Sequence, residues 1–345
     1  MDLKEIYLTS LSMCAPDVLV QAHVDESMPR NVVAIGKCAG ALLDGVARVH
    51  RIENAFVAIP EHYRLPQTEA ELHIGGHPRM TRASFDAGRA LLRFVDAHDD
   101  VLFLISGGGS ACVEVPLPPF TEDDVARRNA QLIASGSSIG EINAERRRIS
   151  AIKGGRLGAR VRGRAVTLVY SDVSTNQWSD VASGPVRPDA LIADNTTLVR
   201  AAASLIGTRA VTIEEQLECD VDGAARFLAR RAEALQSGQI LVAGGEPTVT
   251  IRGDGRGGRC SEMAVRFAML SDCEALFGSS DGVDGNSGVA AIHLPAPRNA
   301  GTGADAVEAA LARSDSFSIA AQLGEPIMIA AAGNNLRDLY LVARD

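Results

Sequence analysis

The sequence predicts a soluble α/β protein of two lobes, the first of them Rossmann-like with a mostly parallel sheet. Apolar runs of four to six residues alternate with helical patterns, which is the arrangement expected of successive βα units. At 345 residues the chain is long for a single hydrophobic core, so two domains are expected. Aromatic residues make up only 4% and glycines number 33, which indicates helix–sheet contacts filled by small aliphatic side chains.

The predicted strands are the short apolar runs. In chain order they are Val32–Ile35, Ala55–Ile59, Val101–Ile105, Ala165–Tyr170, Ile240–Ala243, Thr248–Ile251, Ala275–Phe277, Val289–Ile292, Ile327–Ile329 and Tyr340–Val342. Capping patterns at Ser138 and Thr121, each with an acidic residue three positions later, predict helices that begin directly after them. The mostly helical segment from about 188 to 238 has no strong glycine cluster, so we expect domains over residues 1–190 and 191–345.

Composition excludes several classes of partner. The net charge of −9 argues against sequence-independent binding to nucleic acid, which requires a basic face. The longest apolar runs, such as 101–105 and 327–332, are too short to span a membrane, and Pro16 interrupts the N-terminal apolar residues before a signal peptide can form. We therefore expect a cytoplasmic protein with no nucleic-acid or membrane partner. Its six cysteines form no Cys-x-x-Cys pair and are expected to be buried thiols.

Lysine is rare, with three residues among 34 basic ones, and Lys37 and Lys153 each lie beside a glycine. Lys37 follows a predicted strand and Gly36, at the expected start of a helix. Its ammonium would add a full charge to the partial positive charge of the helix N-terminus. Lys37 is thus the leading catalytic candidate, the alternative being a solvated lysine at a loop tip.

A second strand leads into three consecutive glycines flanked by serines: Ser106, Gly107, Gly108, Gly109 and Ser110. Successive glycines allow backbone N–H groups to converge on a phosphate, and the carboxyl edge of the sheet is where open α/β folds bind ligands. This pattern predicts a phosphate loop, although a tight turn without a ligand has the same sequence features. No Gly-Lys-Ser/Thr follows, so the loop is not a Walker A motif.

A polar stripe and a strand-end acid complete the first lobe. Asn143, Arg146, Ser150 and Lys153 fall on one face by helical period and would suit a polyphosphate, although charged helix faces are usually only solvated. Asp172 ends a predicted strand, where it would bind a metal, accept a proton or cap a helix.

The second lobe carries a strand followed by Gly244, Gly245 and Glu246, and then a loop with four glycines from 253 to 258. That loop matches the Gly-x-Gly-x-x-Gly dinucleotide fingerprint formally. Arg256 and Arg259 are better explained as a clamp for carboxylate or phosphate, because arginine recognises both in a bidentate manner.

Two aspartates near the end of the chain, Asp281 and Asp284, lie three residues apart between glycines. One or two carboxylates together with substrate phosphates are the ligands that Mg²⁺ favours. They predict a magnesium site, with a pair of ordinary turn aspartates as the alternative.

Taken in order, these segments resemble the glycerate 2-kinase family, whose C-terminal portion is called the MOFRL domain. The matching segments span nearly the whole chain, from about residue 32 to 342, and are Ile105–Ala111, Glu141–Ala144, Ile152–Leu157, Ser171–Val173, Ala182–Pro185, Gly244–Thr250, Arg252–Arg259 and Asp281–Gly285. The resemblance implies phosphorylation of the 2-hydroxyl of D-glycerate with ATP and Mg²⁺, in a cleft between two α/β lobes. ATP and a small hydroxy acid are thus the expected partners, and a homodimer is left open.

The resemblance also implies roles for individual residues. It makes Lys37 and Arg259 the catalytic cations and leaves Asp172 as a candidate base or metal ligand. The residues expected to bind nucleotide are Ser106, Gly107, Gly108, Gly109, Ser110, Lys153, Gly244, Glu246 and Arg256, and those expected to bind metal are Asp281 and Asp284.

The chain departs from the family pattern in three places. Cys260 and Ser261 replace an Asn-Gln pair after Arg259, Asn286-Ser-Gly replaces a stretch that usually carries a further aspartate, and the segment between Pro185 and Ile240 is short. Two other functions stay open. One is an oxidoreductase of the hydroxypyruvate reductase type, although no acidic residue follows the glycine fingerprint at the spacing expected for ribose binding. The other is a non-catalytic protein that binds a nucleotide or sugar acid.

Overall fold

A computed structural model describes residues 1–135, 139–173, 178–297, 303–330 and 333–344 of the chain. The chain divides into two compact units. The first unit is Ala15–Asp194, and the second unit is Asn195–Asp345 together with Met1–Cys14. Among the described helices, none combines the length and the apolar character needed to cross a bilayer.

Strands and helices alternate along the chain. The strands are β1 (Asn31–Ile35), β2 (Asn54–Pro60), β3 (Glu71–Gly75), β4 (Val101–Ser106), β5 (Ala165–Tyr170), β6 (Ala190–Ala193), β7 (Ala210–Thr212), β8 (Ile240–Gly245), β9 (Glu274–Ser279), β10 (Ala291–Leu294), β11 (Glu325–Ile327) and β12 (Asp338–Ala343). The α-helices are α1 (Leu3–Met13), α2 (Pro16–Leu19), α3 (Ala39–Ala47), α4 (Arg82–Ala97), α5 (Gly109–Cys112), α6 (Glu122–Ala134), α7 (Ile139–Ile149), α8 (Asn195–Ile206), α9 (Val221–Glu233), α10 (Arg259–Ala268), α11 (Ala304–Ala312) and α12 (Ser316–Leu323).

The first unit is built on a six-stranded sheet with the order β3-β2-β1-β4-β5-β6, in which every neighbouring pair is parallel. This confirms the predicted Rossmann-like lobe. The strand order reverses between β1 and β4, and open α/β sheets bind ligands outside the carboxyl ends of their strands at such a point. The loops after β1 and β4 therefore meet where a ligand is expected.

The central strands of this sheet are buried on both faces, as their continuous apolar sequences predict. All six residues of β4 are buried, and helix α4 packs Phe85, Leu91 and Phe94 into the core. A capping box between Thr81 and Ser84 fixes the start of that helix. The result is a rigid platform under the loops that leave its carboxyl edge.

The second unit contains a mixed sheet with the order β11-β10-β9-β12-β8-β7, in which only β7 and β8 run parallel. Helix α1 belongs to this unit, whereas the predicted boundary near residue 190 assigned it to the first lobe. The physical reason is an apolar helix face: Leu3, Ile6 and Tyr7 are buried, and Tyr7 Oη donates to Ser279 O at 2.6 Å.

Most predicted strands are confirmed, with shifts of one or two residues at their ends. The exception is Thr248–Ile251, which forms no strand; only Thr248 pairs, in an isolated bridge to Asp220. That prediction is wrong because β7 and β12 already occupy both sides of β8. The strands that the sequence did not predict, β3, β6 and β7, are short or lie at a sheet edge, where a continuous apolar run is not required.

Both predicted helix starts are confirmed. Helix α7 begins at Ile139, and Thr121 caps α6 in a reciprocal pattern with Asp124. The proposed capping residue of α7, Ser138, lies outside the described residues.

Candidate functional site

In the first unit, the loops after β1 and β4 are bonded to each other by their backbones. Lys37 N donates to Gly107 O at 2.8 Å, and Cys38 N donates to Ser106 Oγ at 3.1 Å. Gly36 has a φ of +113°, and a Cβ there would lie 2.4 Å from Ser106 O. Only glycine permits this approach, so the two loops predicted separately form one site. Ser106 itself holds that site together, since it is fully buried.

The side chain of Lys37 crosses the glycine loop. A Cβ on Gly108, where φ is +81°, would lie 2.9 Å from Lys37 Cγ and 3.3 Å from His77 Cδ2. The ammonium nitrogen lies 5.7 Å from the ring centroid of Tyr63, within the range of a cation–π contact. Gly108 is therefore required both for the backbone turn and for the passage of Lys37.

The carboxylate of Asp172 lies on the same loop. A Cβ on Gly107 would lie 1.7 Å from Asp172 Oδ2, so the carboxylate covers the bare α-carbon of this glycine. The strand-end acid predicted from the sequence is thus next to the glycine loop.

The glycine loop and Asp172 border a cavity of about 260 Å³, which we call the first-unit cavity. Its polar lining residues are His77, Gly107, Gly108, Ser110, Asn143, Arg146, Asp172 and Asp180. Two hydrogen bonds order one wall: Ser110 Oγ and Ser183 Oγ are 2.7 Å apart, and Ser183 Oγ donates to Asn143 Oδ1 at 2.8 Å.

The lining of the first-unit cavity carries one cation, Arg146, and two carboxylates, Asp172 and Asp180. Arg146 is buried, its Nε donates to Asn129 Oδ1 at 2.9 Å, and burial lowers the pKa of its guanidinium, which stays charged because an arginine pKa starts so high. Burial among protein groups, with Lys37 and Arg146 nearby, lowers the pKa of the His77 imidazole to about 4. His77 is therefore neutral at pH 7, and Lys37 and Arg146 are the cations that act on it.

The predicted polar stripe divides into two parts. Asn143 and Arg146 line the first-unit cavity, but Lys153 is 1% exposed and donates from Nζ to Glu114 Oε2 at 2.5 Å and to Val113 O at 3.2 Å. The stripe breaks because α7 ends at Ile149, so helical spacing no longer applies beyond it. Lys153 thus forms a buried ion pair and is not part of the lining of the first-unit cavity.

In the second unit, the arginine at the start of α10 is heavily paired. Arg259 binds Asp338 in a bidentate manner, with Nε to Oδ2 at 3.0 Å and Nη2 to Oδ1 at 3.1 Å, and its Nη1 lies 3.2 Å from Glu246 Oε1. The charge of Asp338 raises the pKa of Arg259 far above its usual value. Two carboxylates thus balance this cation.

Arg256 also makes contacts within its own unit. Its Nη2 donates to Ser287 O at 2.5 Å, and its guanidinium carbon lies 4.6 Å from the ring centroid of Phe317. These contacts anchor the glycine loop against the residues that follow Asp284.

The two predicted metal ligands have different surroundings. Asp284 is 2% exposed and accepts from Cys260 N at 2.8 Å, from Ser261 N at 2.9 Å and from Ser261 Oγ, so it caps helix α10. Asp281 Oδ1 accepts from Ser279 Oγ at 2.9 Å and Val283 N at 3.0 Å, and its second oxygen accepts no hydrogen bond within the described residues.

The described residues contain no group of three or more metal-ligating side chains. A cation bound near Asp281 would therefore take most of its ligands from a substrate or from water, which is how Mg²⁺ is commonly held.

The second-unit cavity, of about 660 Å³, lies beside the arginine at the start of α10. Pro247, Val249 and Ile251 give it an apolar wall, while Glu246 and Arg259 supply charge. Cys260 and Ser261, the departures from the family pattern, are buried in the first turn of α10 and do not line it. Gly244, which was predicted to bind nucleotide, does not line the second-unit cavity either.

Several residues in or near the two cavities were not predicted from the sequence, including His77, Glu114 and Asp338. Asp338 carried the clearest signal, since it is a lone acid that opens an otherwise apolar strand. The other two lie in segments whose neighbours in space are distant in sequence.

Comparisons with known proteins cover nearly the whole chain. Residues 2–218 match a family model described as a domain of unknown function (DUF4147), and residues 239–338 match the MOFRL family. A D-glycerate 2-kinase from Thermotoga maritima is 28% identical over 98% of this chain and 96% of its own length. A putative hydroxypyruvate reductase from Agrobacterium vitis is 27% identical over 99% and 93%. The crystal structure of a glycerate kinase from Thermotoga maritima superposes with a TM-score of 0.87 at 26% identity, covering 99% of this chain and 98% of that one.

Proposed function

The chain belongs to the glycerate 2-kinase family, and we propose on this premise that it transfers the γ-phosphate of ATP to the 2-hydroxyl of D-glycerate. The observation that carries the proposal is the full-length match to a D-glycerate 2-kinase, which covers 98% of this chain. Arg146 in the lining of the first-unit cavity and Lys37 against the glycine loop support it, because phosphoryl transfer depends mainly on positioning and on neutralising charge.

We assign the reacting groups to the first-unit cavity. Its volume of about 260 Å³ suits a small hydroxy acid and a phosphate rather than a whole nucleotide. The backbone of Gly107–Gly109 would hold phosphate oxygens, and Lys37 would stabilise the charge that develops on the transferred group.

Arg146 would bind the carboxylate of the acid, which arginine recognises well. Asp172 would accept the proton of the attacking hydroxyl, since its carboxylate lies on the same glycine loop. Lys153 would support the site indirectly, through its buried ion pair with Glu114.

The residues of the second unit would hold the nucleotide. The apolar wall of the second-unit cavity suits a base, and Glu246 suits ribose hydroxyls. Arg259 stays a proposed site residue, as an oriented cation whose charge is balanced by Asp338. Arg256 would fix the glycine loop that borders the nucleotide.

Mg²⁺ fits the donor set only as an ion shared with ATP. Asp281 would hold it through the carboxylate oxygen that accepts no hydrogen bond within the described residues, while Asp284 is committed to its helix cap. The bound ion would neutralise phosphate charge.

The direct test measures ADP formation by purified protein with ATP, Mg²⁺ and D-glycerate, with L-glycerate and hydroxypyruvate as comparisons. We expect ADP only in the presence of a hydroxy acid, and phosphorus NMR should identify 2-phosphoglycerate as the product. Folded protein that forms no ADP with glycerate or any related hydroxy acid would contradict the proposal.

The reductase alternative has its own readout, oxidation of NADH by hydroxypyruvate. The name of the Agrobacterium vitis relative keeps this assay necessary. The geometry disfavours it, because the glycine fingerprint near Gly253 follows no strand and the helix after it is already capped by Asp284.

A further inference from the structure

The loop between β2 and β3, residues 61–70, brings an aromatic ring to the ammonium of Lys37. We call it the β2–β3 loop. The ring centroid of Tyr63 lies 5.7 Å from Lys37 Nζ, which is within the range over which an aromatic face attracts a cation. Tyr63 does not line the first-unit cavity, so its ring meets the ammonium without bordering the place assigned to the reacting groups.

Helix α3 holds the β2–β3 loop at a bare α-carbon. A Cβ on Gly40, in the first turn of α3, would lie 2.3 Å from Arg64 O and 2.8 Å from Pro66 N. A side chain at residue 40 would therefore displace the backbone of the loop. Because Arg64 directly follows Tyr63 in the chain, this close approach fixes the backbone beside the aromatic ring.

Asp44 fastens the β2–β3 loop to the same face of α3, since it lies four residues after Gly40. Its Oδ1 accepts from Gln67 N at 2.9 Å and from Thr68 N and Thr68 Oγ1, each at 3.0 Å. Arg64 Nη2 donates to its Oδ2 at 3.3 Å. The residue is 4% exposed, so one buried carboxylate binds the loop on both sides of its midpoint.

The position of the Lys37 ammonium depends on the groups around it, because a lysine carries its charge at the end of a flexible stem of four carbons. The glycine loop borders that stem: a Cβ on Gly108 would lie 2.9 Å from Lys37 Cγ and 3.4 Å from Lys37 Cε. The ring of Tyr63 adds a contact at the ammonium itself. Stem and ammonium are thus held by two different loops.

We propose that Tyr63 is a positioning residue that holds the ammonium of Lys37 for phosphoryl transfer, and that Asp44 acts on the ammonium through the β2–β3 loop. The effect on rate rests on the proposed function, in which Lys37 stabilises the transferred group. A displacement of a catalytic group by about 1 Å can cost a large factor in rate, so a residue that fixes its position contributes to turnover without touching the substrate.

Steady-state kinetics test the role of the ring. Tyr63→Leu should lower kcat about fivefold, which is the factor that one cation–π contact commonly contributes. Tyr63→Phe keeps the ring and should stay within twofold of wild type. His62→Asn is the matched control: it removes the neighbouring exposed ring of the same loop, and asparagine tolerates the φ of +71° at that residue. It should turn over as wild type.

The dependence on Lys37 separates positioning from a general effect on the fold. In protein that carries Lys37→Met, adding Tyr63→Leu should change kcat by less than twofold, because the ring then has no ammonium to hold. Asp44→Asn should lower kcat in the wild type but add little to Tyr63→Leu, because it acts through the ring. Its control is Glu69→Gln, which alters an exposed carboxylate of the same loop. Thermal unfolding verifies that each variant is folded at the assay temperature.

A second measurement requires no turnover. The chain has only three lysines, Lys4, Lys37 and Lys153, so mass spectrometry can follow the acetylation of each by acetic anhydride. The rate at Lys37 should rise at least threefold in Tyr63→Leu and stay unchanged in Tyr63→Phe, because the ring stabilises the charged amine, which is not nucleophilic. The exposed Lys4 is the reference, and the buried Lys153 should react slowly in every variant.

Wild-type turnover in Tyr63→Leu, or the same proportional loss when Lys37→Met is already present, would overturn the proposal. Acetylation of Lys37 at the wild-type rate in Tyr63→Leu would overturn it as well, because the ring would then not hold the ammonium. The two proposals can fail separately. A wild-type protein that forms no ADP with glycerate refutes the proposed function, while faster acetylation of Lys37 in Tyr63→Leu would still show that the ring holds the ammonium.

Discussion

The glycine loops of the two units have similar sequences but differ in how their cations are balanced. In the first unit, Arg146 borders the first-unit cavity, Lys37 lies against its glycine loop, and after desolvation both charges lower the pKa of His77. In the second unit, Asp338 and Glu246 pair with Arg259, and Asp284 already occupies the N-terminus of α10. A glycine-rich turn thus positions a cation. Carboxylates from distant parts of the chain then determine how much of its charge is left to bind an anionic ligand.

The largest expected effect tests the first half of this comparison. Lys37→Met should lower turnover roughly a hundredfold, or about 3 kcal/mol, because the ammonium acts on the charge of the transition state. The midpoint of thermal unfolding should stay near that of the wild type. Turnover is measured as steady-state ADP release at saturating ATP. Unchanged turnover would show that Lys37 is an ordinary solvated lysine without a catalytic role.

The second prediction concerns the balanced cation. Arg259→Met should destabilise the protein by about 3 kcal/mol, because it leaves the buried carboxylate of Asp338 without its partner. Adding Asp338→Asn should recover part of this loss by removing the orphaned charge. Urea unfolding measures both variants, and Arg252→Met, an exposed arginine of the same loop, is the matched control. Equal stability of the Arg259 and Arg252 variants would show that the pairing contributes nothing.

The parallel sheet of the first unit could be predicted from the sequence because its strands are continuous apolar runs. Val101–Ile105 leads directly into the glycine loop, and both features lie on one local segment. The edge strands β3 and β7 were missed because an edge requires little burial. The position of α1 was also missed, because its contacts with the second unit join residues far apart in sequence, such as Tyr7 Oη with Ser279 O and Asn334 Nδ2 with Leu11 O.

The site was predictable only as far as it is local. The loops around Lys37 and Gly107 follow adjacent strands, so their meeting follows from the strand order. The partners of Lys153 and Arg259 cannot be predicted from the strand order. Glu114 lies 39 residues from Lys153, and Asp338 lies 79 residues from Arg259. Long-range pairing of charges has no periodic signature, and these pairs decide how far the charge of each predicted cation is balanced.

A third prediction separates the two aspartates of the second unit. Asp284→Ala should destabilise the protein by about 1–2 kcal/mol through loss of the α10 cap. Asp281→Asn should leave stability nearly unchanged but raise the Mg²⁺ concentration needed for half-maximal turnover. Titration of Mg²⁺ against rate compares them, with Asp172→Asn as the test of the carboxylate in the first unit. Wild-type rate and metal dependence in Asp281→Asn would move the proposed metal ligand to Asp172 or Glu246.

The smallest expected effect is a shift in the titration of His77. Its pKa of about 4 lies below the ordinary value of 6.5, first because of burial and then because of Lys37 and Arg146. Lys37→Met removes one of these charges and should raise the pKa of His77 to a value that stays below 6.5. Proton NMR of the imidazole measures it, with His77→Gln to assign the signal.

The sign of the accompanying stability change follows from the same pKa. As pH falls below 6.5, the unfolded chain protonates this histidine, while the folded chain leaves it neutral until about pH 4. His77 therefore makes stability fall with falling pH across that window, and His77→Gln should flatten the slope. Protein atoms desolvate the imidazole, but the residue keeps an exposed surface, so solvent screening keeps the change small. A pKa for His77 that is the same in wild type and in Lys37→Met would show that the ammonium does not act on the first-unit cavity. That result would contradict the difference in charge balance between the two glycine loops.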